Sequence, residues 1–168
     1  SNPNEKDAVI TFEPPDGIVV DNPDPVVPAN SSRVFMMPVT NVSKTSTGFH
    51  GIRFTSTRPI LVHQFNPWDN KFSNDASLLL PEPFLGSDYT ILTWPTAPLG
   101  IIDVPIPGFD PPPNQSGYFT VVAPYDDTTV TFQVTAKIAA GGKVSAMEPG
   151  GLQSVVLDAG EVLNVEAF

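Results

Sequence analysis

The chain has 168 residues, 40% of them apolar, and its 20 prolines exclude a helical bundle, because each interior proline costs a helix about 3 kcal/mol. The net charge of −10 argues against nucleic acid and against anionic lipid as partners, since both call for clustered Lys and Arg. With no cysteine there are no disulfides, thiol catalysis or thiolate metal sites, and without an apolar run of about 18 residues no segment reads as a transmembrane helix.

In chain order, Ser1-Asn2 reads as a tag-cleavage scar and residues 1–7 as a disordered leader. Val9-Ile10-Thr11-Phe12 alternates as a short strand. Pro14-Pro15-Asp16-Gly17 closes it with a turn, since proline fixes φ and glycine admits positive φ. Residues 33–39 give a second strand. Residues 52–55 and 60–65 read as a hairpin across Ser56-Thr57-Arg58-Pro59. The short apolar run 76–80 reads as a buried strand. Glu82-Pro83-Phe84-Leu85-Gly86 suits one helical turn, and residues 89–94 alternate again up to Pro95, which places Trp94 in the core.

Residues 95–117 hold Pro95, Pro98, Pro105, Pro107, Pro111, Pro112 and Pro113, an irregular loop of polyproline II character. Strand patterns resume over 118–122, 128–134, 154–157 and 162–165. Asp126-Asp127 turns between the first two, and Gly141-Gly142 and Gly150-Gly151 bracket a hairpin-like segment. About ten short strands at this spacing predict an all-β fold, a mostly antiparallel β-sandwich.

Val9-Ile10-Thr11-Phe12 is echoed by Val130-Thr131-Phe132. Val26-Val27-Pro28-Ala29 is echoed by Val155-Val156-Leu157-Asp158-Ala159. The echo predicts two related β units, loosely 8–95 and 117–168, with the Pro-rich loop 96–116 between them. They form one β-rich domain over 8–168, expected to be truncated at its C-terminus from a longer parent chain carrying other domains.

Catalytic signatures are few. His50 and His63 are the two histidines, and His63, in an apolar alternating strand, reads as a packed or edge residue. No Gly-x-Ser-x-Gly elbow, His-Glu-x-x-His motif or phosphate-cradling glycine loop occurs. Asp126-Asp127 is the obvious carboxylate pair for glycoside chemistry, but neighbouring residues in a turn both face water. A non-catalytic protein is the stronger expectation.

The stretch from Asn66 to Asp75 is the richest in binding chemistry. Asp69, Asn70, Asn74 and Asp75 are hard oxygen donors of the kind calcium gathers, with turn capping as the competing role. Calcium is the one cofactor in view. Trp68 and Phe72, beside Asn66, suit stacking on a sugar face or anchoring a protein partner. The competing role for both aromatics is closing the core. Phe109, in the proline loop, is a further candidate contact.

Several runs together resemble a known family. They are Gly51-Ile52-Arg53-Phe54-Thr55-Ser56-Thr57-Arg58-Pro59-Ile60-Leu61-Val62, then His63-Gln64-Phe65-Asn66-Pro67, and Phe72-Ser73-Asn74-Asp75-Ala76-Ser77-Leu78-Leu79-Leu80-Pro81. Leu85-Gly86-Ser87-Asp88-Tyr89, Thr93-Trp94-Pro95, Gly117-Tyr118-Phe119-Thr120-Val121-Val122-Ala123 and Thr128-Thr129-Val130-Thr131 follow. The series resembles the N-terminal domain of IgGFc-binding protein, in the version found in exported bacterial proteins, over about 48–168 and more loosely over 8–47. The resemblance implies an all-β, secreted or surface-attached module, often joined to other adhesive domains, without catalytic residues. The Fc ligand belongs to the family's animal member.

The sequence therefore predicts a non-catalytic exported or cell-surface module for adhesion or for binding a protein or glycan. A structural spacer within a larger surface protein and a carbohydrate-active enzyme are the alternatives.

Overall fold

The computed structural model describes residues 1–21, 24–38, 40, 42–66, 75–96 and 116–168. Its strands are β1 (Ala8–Glu13), β2 (Val26–Val27), β3 (Ser46–Phe49), β4 (Arg53–Ser56), β5 (His63–Asn66), β6 (Asp75–Leu78), β7 (Tyr118–Val122), β8 (Thr128–Gln133), β9 (Leu152–Leu157) and β10 (Glu161–Glu166). The one helical element among the described residues is a 3-10 turn, Glu82–Phe84. Every strand pair is antiparallel, and the fold is all-β, as expected. The chain forms two compact units, each assembled from two stretches: Ser1–Val39 with Ile52–Tyr89, and Thr40–Gly51 with Thr90–Phe168.

In the first unit the sheet order is β2-β1-β4. The alternation of β1 buries Ala8 and Ile10 and leaves Val9 at the surface, the period of two that a one-sided sheet requires. Phe12, on the same face, meets Phe35 edge-on at 5.2 Å. The turn after β1 forms where Pro-Pro-Asp-Gly predicts it: the Ile18 N–H donates to Pro15 O, and Gly17 takes φ 82°. Arg53 bridges Glu13 at 3.3 Å and Glu82 at 2.9 Å, tying the 3-10 turn to β4 and β1.

Residues 1–7, where the sequence suggested disorder, are instead knitted into this unit. The Asn2 side chain is 1% exposed. Its Nδ2 donates to the carbonyls of Lys6, Val27 and Pro28, and its Oδ1 accepts from the backbone and side-chain N–H groups of Asn4. A buried amide persists where its donors and acceptors are satisfied.

Three local expectations change. No strand forms over residues 33–38, where Arg33 reaches back to Asp24 through its carboxylate and its backbone carbonyl. The 52–65 hairpin does not form either. β4 pairs with β1, while the Pro59 carbonyl and the Leu61 N–H bond to Asn4 and Ser1; Pro59 itself has no N–H to give a ladder. The run 76–80 contributes to β6, which is exposed throughout rather than buried. It pairs with β5 as a two-stranded ribbon, with no third strand among the described residues.

The second unit holds a three-stranded sheet, β3-β10-β7, and a two-stranded sheet, β8-β9. Leu163 and Val165 from β10 and Val155 and Leu157 from β9 share one apolar cluster, with Phe119, Val121, Val130 and Phe132 packed against it. Two sheets closing on one core make a small sandwich. Phe119 and Phe132 meet edge-on at 5.6 Å, joining the sheets.

Residues 138–147 add a hairpin to this core. Ile138 pairs with Met147, and Gly141 with Val144. Gly141 has no room for a side chain, because a Cβ there would overlap the Thr45 carbonyl. That close approach is what the Gly141-Gly142 pair provides. β10, central in its sheet, is buried on both faces. Its polar members are paired: Asn164 accepts from Thr120 Oγ1 at 2.8 Å and donates to Lys44 O at 2.7 Å, and Glu161 accepts from Lys143 Nζ at 2.6 Å.

Candidate functional site

β5 and β6 pair residue by residue from His63–Leu78 to Asn66–Asp75, so the chain between them, 67–74, starts and finishes at one end of the ribbon. Alternation gives the ribbon two unlike faces. His63, Phe65, Ala76 and Leu78 share one, and Gln64, Ser77 and Asp75 lie on the other. Phe65 and Leu78 are both about half exposed, at 51% and 52%.

Of the sequence-predicted contacts, Trp68, Phe72 and Phe109 lie outside the described residues, as do Asp69, Asn70 and Asn74. Asn66 ends β5, and its backbone pairs with Asp75 at the start of β6. Asp75 is exposed. The ribbon thus brings Asn66 and Asp75 opposite each other, at the two ends of the stretch chosen for calcium and ligand contacts. Among the described residues no group of three or more His, Asp and Glu side chains is placed to hold a metal.

His63 belongs to the first unit and His50 to the second. His63 is exposed on β5, and His50 lies over Gly48 at the end of β3. Asp126-Asp127 makes the turn the sequence indicated. Asp127 takes φ 56°, and Asp126 Oδ1 accepts the Ala159 N–H at 3.0 Å. Two carboxylates spent on turn geometry and facing water are ordinary loop chemistry.

The aromatic surface that sequence reasoning missed is in the second unit. Trp94 is 89% exposed and Leu92 92% exposed, so Trp94 is not a core residue and residues 90–94 form no strand. Tyr118, on β7, is also largely exposed. The alternating pattern of 89–94 is genuine, but no strand among the described residues pairs with it, and a strand exists only with a partner. The Trp94-Pro95 step was the available signal, since the residue before a proline is pushed to extended backbone whether or not a sheet receives it.

The described scaffold is all-β, and its most exposed large apolar side chains are Leu92 and Trp94. Residues 75–168 match the family model described as IgGFc binding protein, and the chain belongs to that family. The match starts at the first residue of β6 and runs through the whole later stretch of the second unit. No curated protein and no solved structure matches the chain.

Proposed function

We propose that this chain is a non-catalytic module of an exported or surface-attached protein that adheres to a protein or glycan ligand through loops held on its β scaffold. The observation that carries the reading is the IgGFc-binding family match over 75–168. Support comes from the β5–β6 ribbon, which fixes both ends of the stretch holding Trp68 and Phe72. Loops on a rigid scaffold are where binding residues concentrate. The proposed contacts are Trp68, Phe72, Asn66 and Phe109, with Asp69, Asn70, Asn74 and Asp75 as the proposed calcium ligands.

The test is an array of glycans, mucins and immunoglobulin Fc, probed with calcium and again with chelator, each spot read for retained protein and for cleaved ligand. Retention of intact ligand supports the module, and chelator sensitivity supports the calcium ligands. Cleavage by substoichiometric protein would replace the reading with the carbohydrate-active enzyme, and silence on every spot with the spacer. Trp68→Ala is expected to weaken retention at least about tenfold, the loss of a ~1.4 kcal/mol anchor, with little change in Tm. A large fall in Tm with binding intact would place Trp68 in the core instead.

A further inference from the structure

Among the described residues the sheet β3-β10-β7 ends at β7, and no described strand covers that edge. Odd-numbered positions of this stretch point their backbone groups at β10: Gly117 O accepts from Ala167 N, and Ala123 N donates to Glu161 O while Ala123 O accepts from Gly160 N. By alternation the N–H and C=O groups of Tyr118, Thr120 and Val122 point the other way. Among the described residues they have no hydrogen-bond partner. Residues 118–122 carry no Lys and no Pro, two usual means of keeping an edge unpaired.

Beside the start of this edge lies a segment with the sequence pattern of a strand and no ladder among the described residues. Residues 90–94, Thr-Ile-Leu-Thr-Trp, are β-prone and alternate, and the described chain gives them no ladder. They are anchored next to β7. The Trp94 carbonyl oxygen lies against Gly117, and Thr96 Oγ1 accepts the Gly117 N–H at 3.3 Å while donating to Ala167 O at 3.5 Å. Leu92 and Trp94 fall on one face of the segment and are the two most exposed large apolar side chains described.

We propose that the open edge of β7 is a docking surface for an extended strand, and that its occupant is this chain's own segment 90–94, closing as a strap that extends the sheet to four strands. Closure gives the outward groups of Tyr118, Thr120 and Val122 their partners. With Trp94, Leu92 and Thr90 opposite Tyr118, Thr120 and Val122, it also sets Leu92 and Trp94 on the face of Tyr118 and Val122, covering two side chains that are exposed in the open form. The chemistry favours the strap over a second copy. Each copy carries a net charge of −10, and a five-residue edge buries far less than the roughly 1,200 Å² of a stable interface. A segment tethered at Gly117 meets the edge at millimolar effective concentration, on the order expected for short linkers.

Amide hydrogen exchange followed by NMR reads the edge directly. The expected result is that the amides of Tyr118, Thr120 and Val122 exchange at least about tenfold slower than unpaired surface amides, independently of protein concentration. Leu92→Asp, which alters a side chain exposed in the open form, abolishes that protection while the β10 amides stay protected. A second reading uses Trp94 as the sole tryptophan, in a Trp68→Phe background. Its emission is that of a shielded indole, and it moves to the red in Val122→Pro, which removes one outward N–H without touching the β10 ladder. Fast exchange at all three amides in the parent chain overturns the proposal. So does protection that grows with concentration alongside a doubled mass, which hands the edge to a second copy. Protection that survives Leu92→Asp overturns it as well, since something other than the strap then covers the edge.

Discussion

The two units are held together by different means. In the second, nine buried apolar residues are described, eight of them in one cluster shared by two sheets. In the first, only Ala8, Ile10 and Val27 are buried apolar residues among those described, and the most heavily bonded buried side chain is an amide, Asn2. A small unit with little apolar surface to hide leans on satisfied hydrogen bonds and close turns, whereas a larger one uses packing. The contrast teaches that stability in this chain is not one quantity, and a substitution should be judged by the unit it lies in.

The sharpest way to break the contrast is Leu163→Ala. Leu163 is fully buried at the centre of the second unit, and a core Leu→Ala change costs about 2–5 kcal/mol through lost transfer energy and the cavity left behind. Urea unfolding followed by exchange at the β7 and β10 amides should show a loss in that range. A change under about 1 kcal/mol would mean this core is loosely packed. Asn2→Ala comes next. It strands the Val27 and Pro28 carbonyls and the Asn4 N–H, and about 1–3 kcal/mol is expected for such a deletion, read at the β1 and β2 amides. No effect there would return the first unit to the apolar account.

The smallest effect concerns Asp24. The hydrogen bond from Arg33, then that from the Val26 N–H, holds its carboxyl below the ordinary value of 3.8. A depressed carboxyl contributes stability that is present above its unfolded pKa and lost as pH falls through the folded one. Asp24→Asn should therefore lower Tm slightly at neutral pH, less than either substitution above because the Asp24 carboxylate faces solvent, which screens the pair. The difference from the parent chain should vanish in acid, once the folded carboxyl takes up its proton. A difference that persists in acid would mean the Asp24 effect is not ionic.

The sequence made most of the second unit legible. Its strands at 118–122, 128–133, 152–157 and 161–166 fall where alternation placed them, because each has a real partner and a buried face. β3 went unread, since Ser46-Thr47-Gly48-Phe49 has no apolar period and becomes a strand only through its neighbour β10. In the first unit the pattern misled where side-chain and terminal hydrogen bonds decide the path, at Arg33, at Pro59 and at Asn2. Those bonds join residues far apart in the chain, and no local period encodes them. The family was legible from longer runs, though the family model covers 75–168 and not the Gly51–Val62 run that also carried the resemblance. The site was legible only as composition, since stacking and chelation depend on convergence in space.

β10 sits between β3 and β7, and its Glu161 is the partner of Phe49, roughly a hundred residues earlier in the chain. Synthesis at about 5–20 residues per second makes β3 wait on the order of ten seconds for the strand that completes its sheet. Through that interval β3 has no partner, and β7, once made, also waits for the strand that lies between them, the condition in which chains aggregate. The first unit has no such delay, because all of its strands have emerged by residue 78. The nesting that joins early and late segments in one sheet thus sets an order of assembly: the three-stranded sheet of the second unit closes only when its central strand arrives.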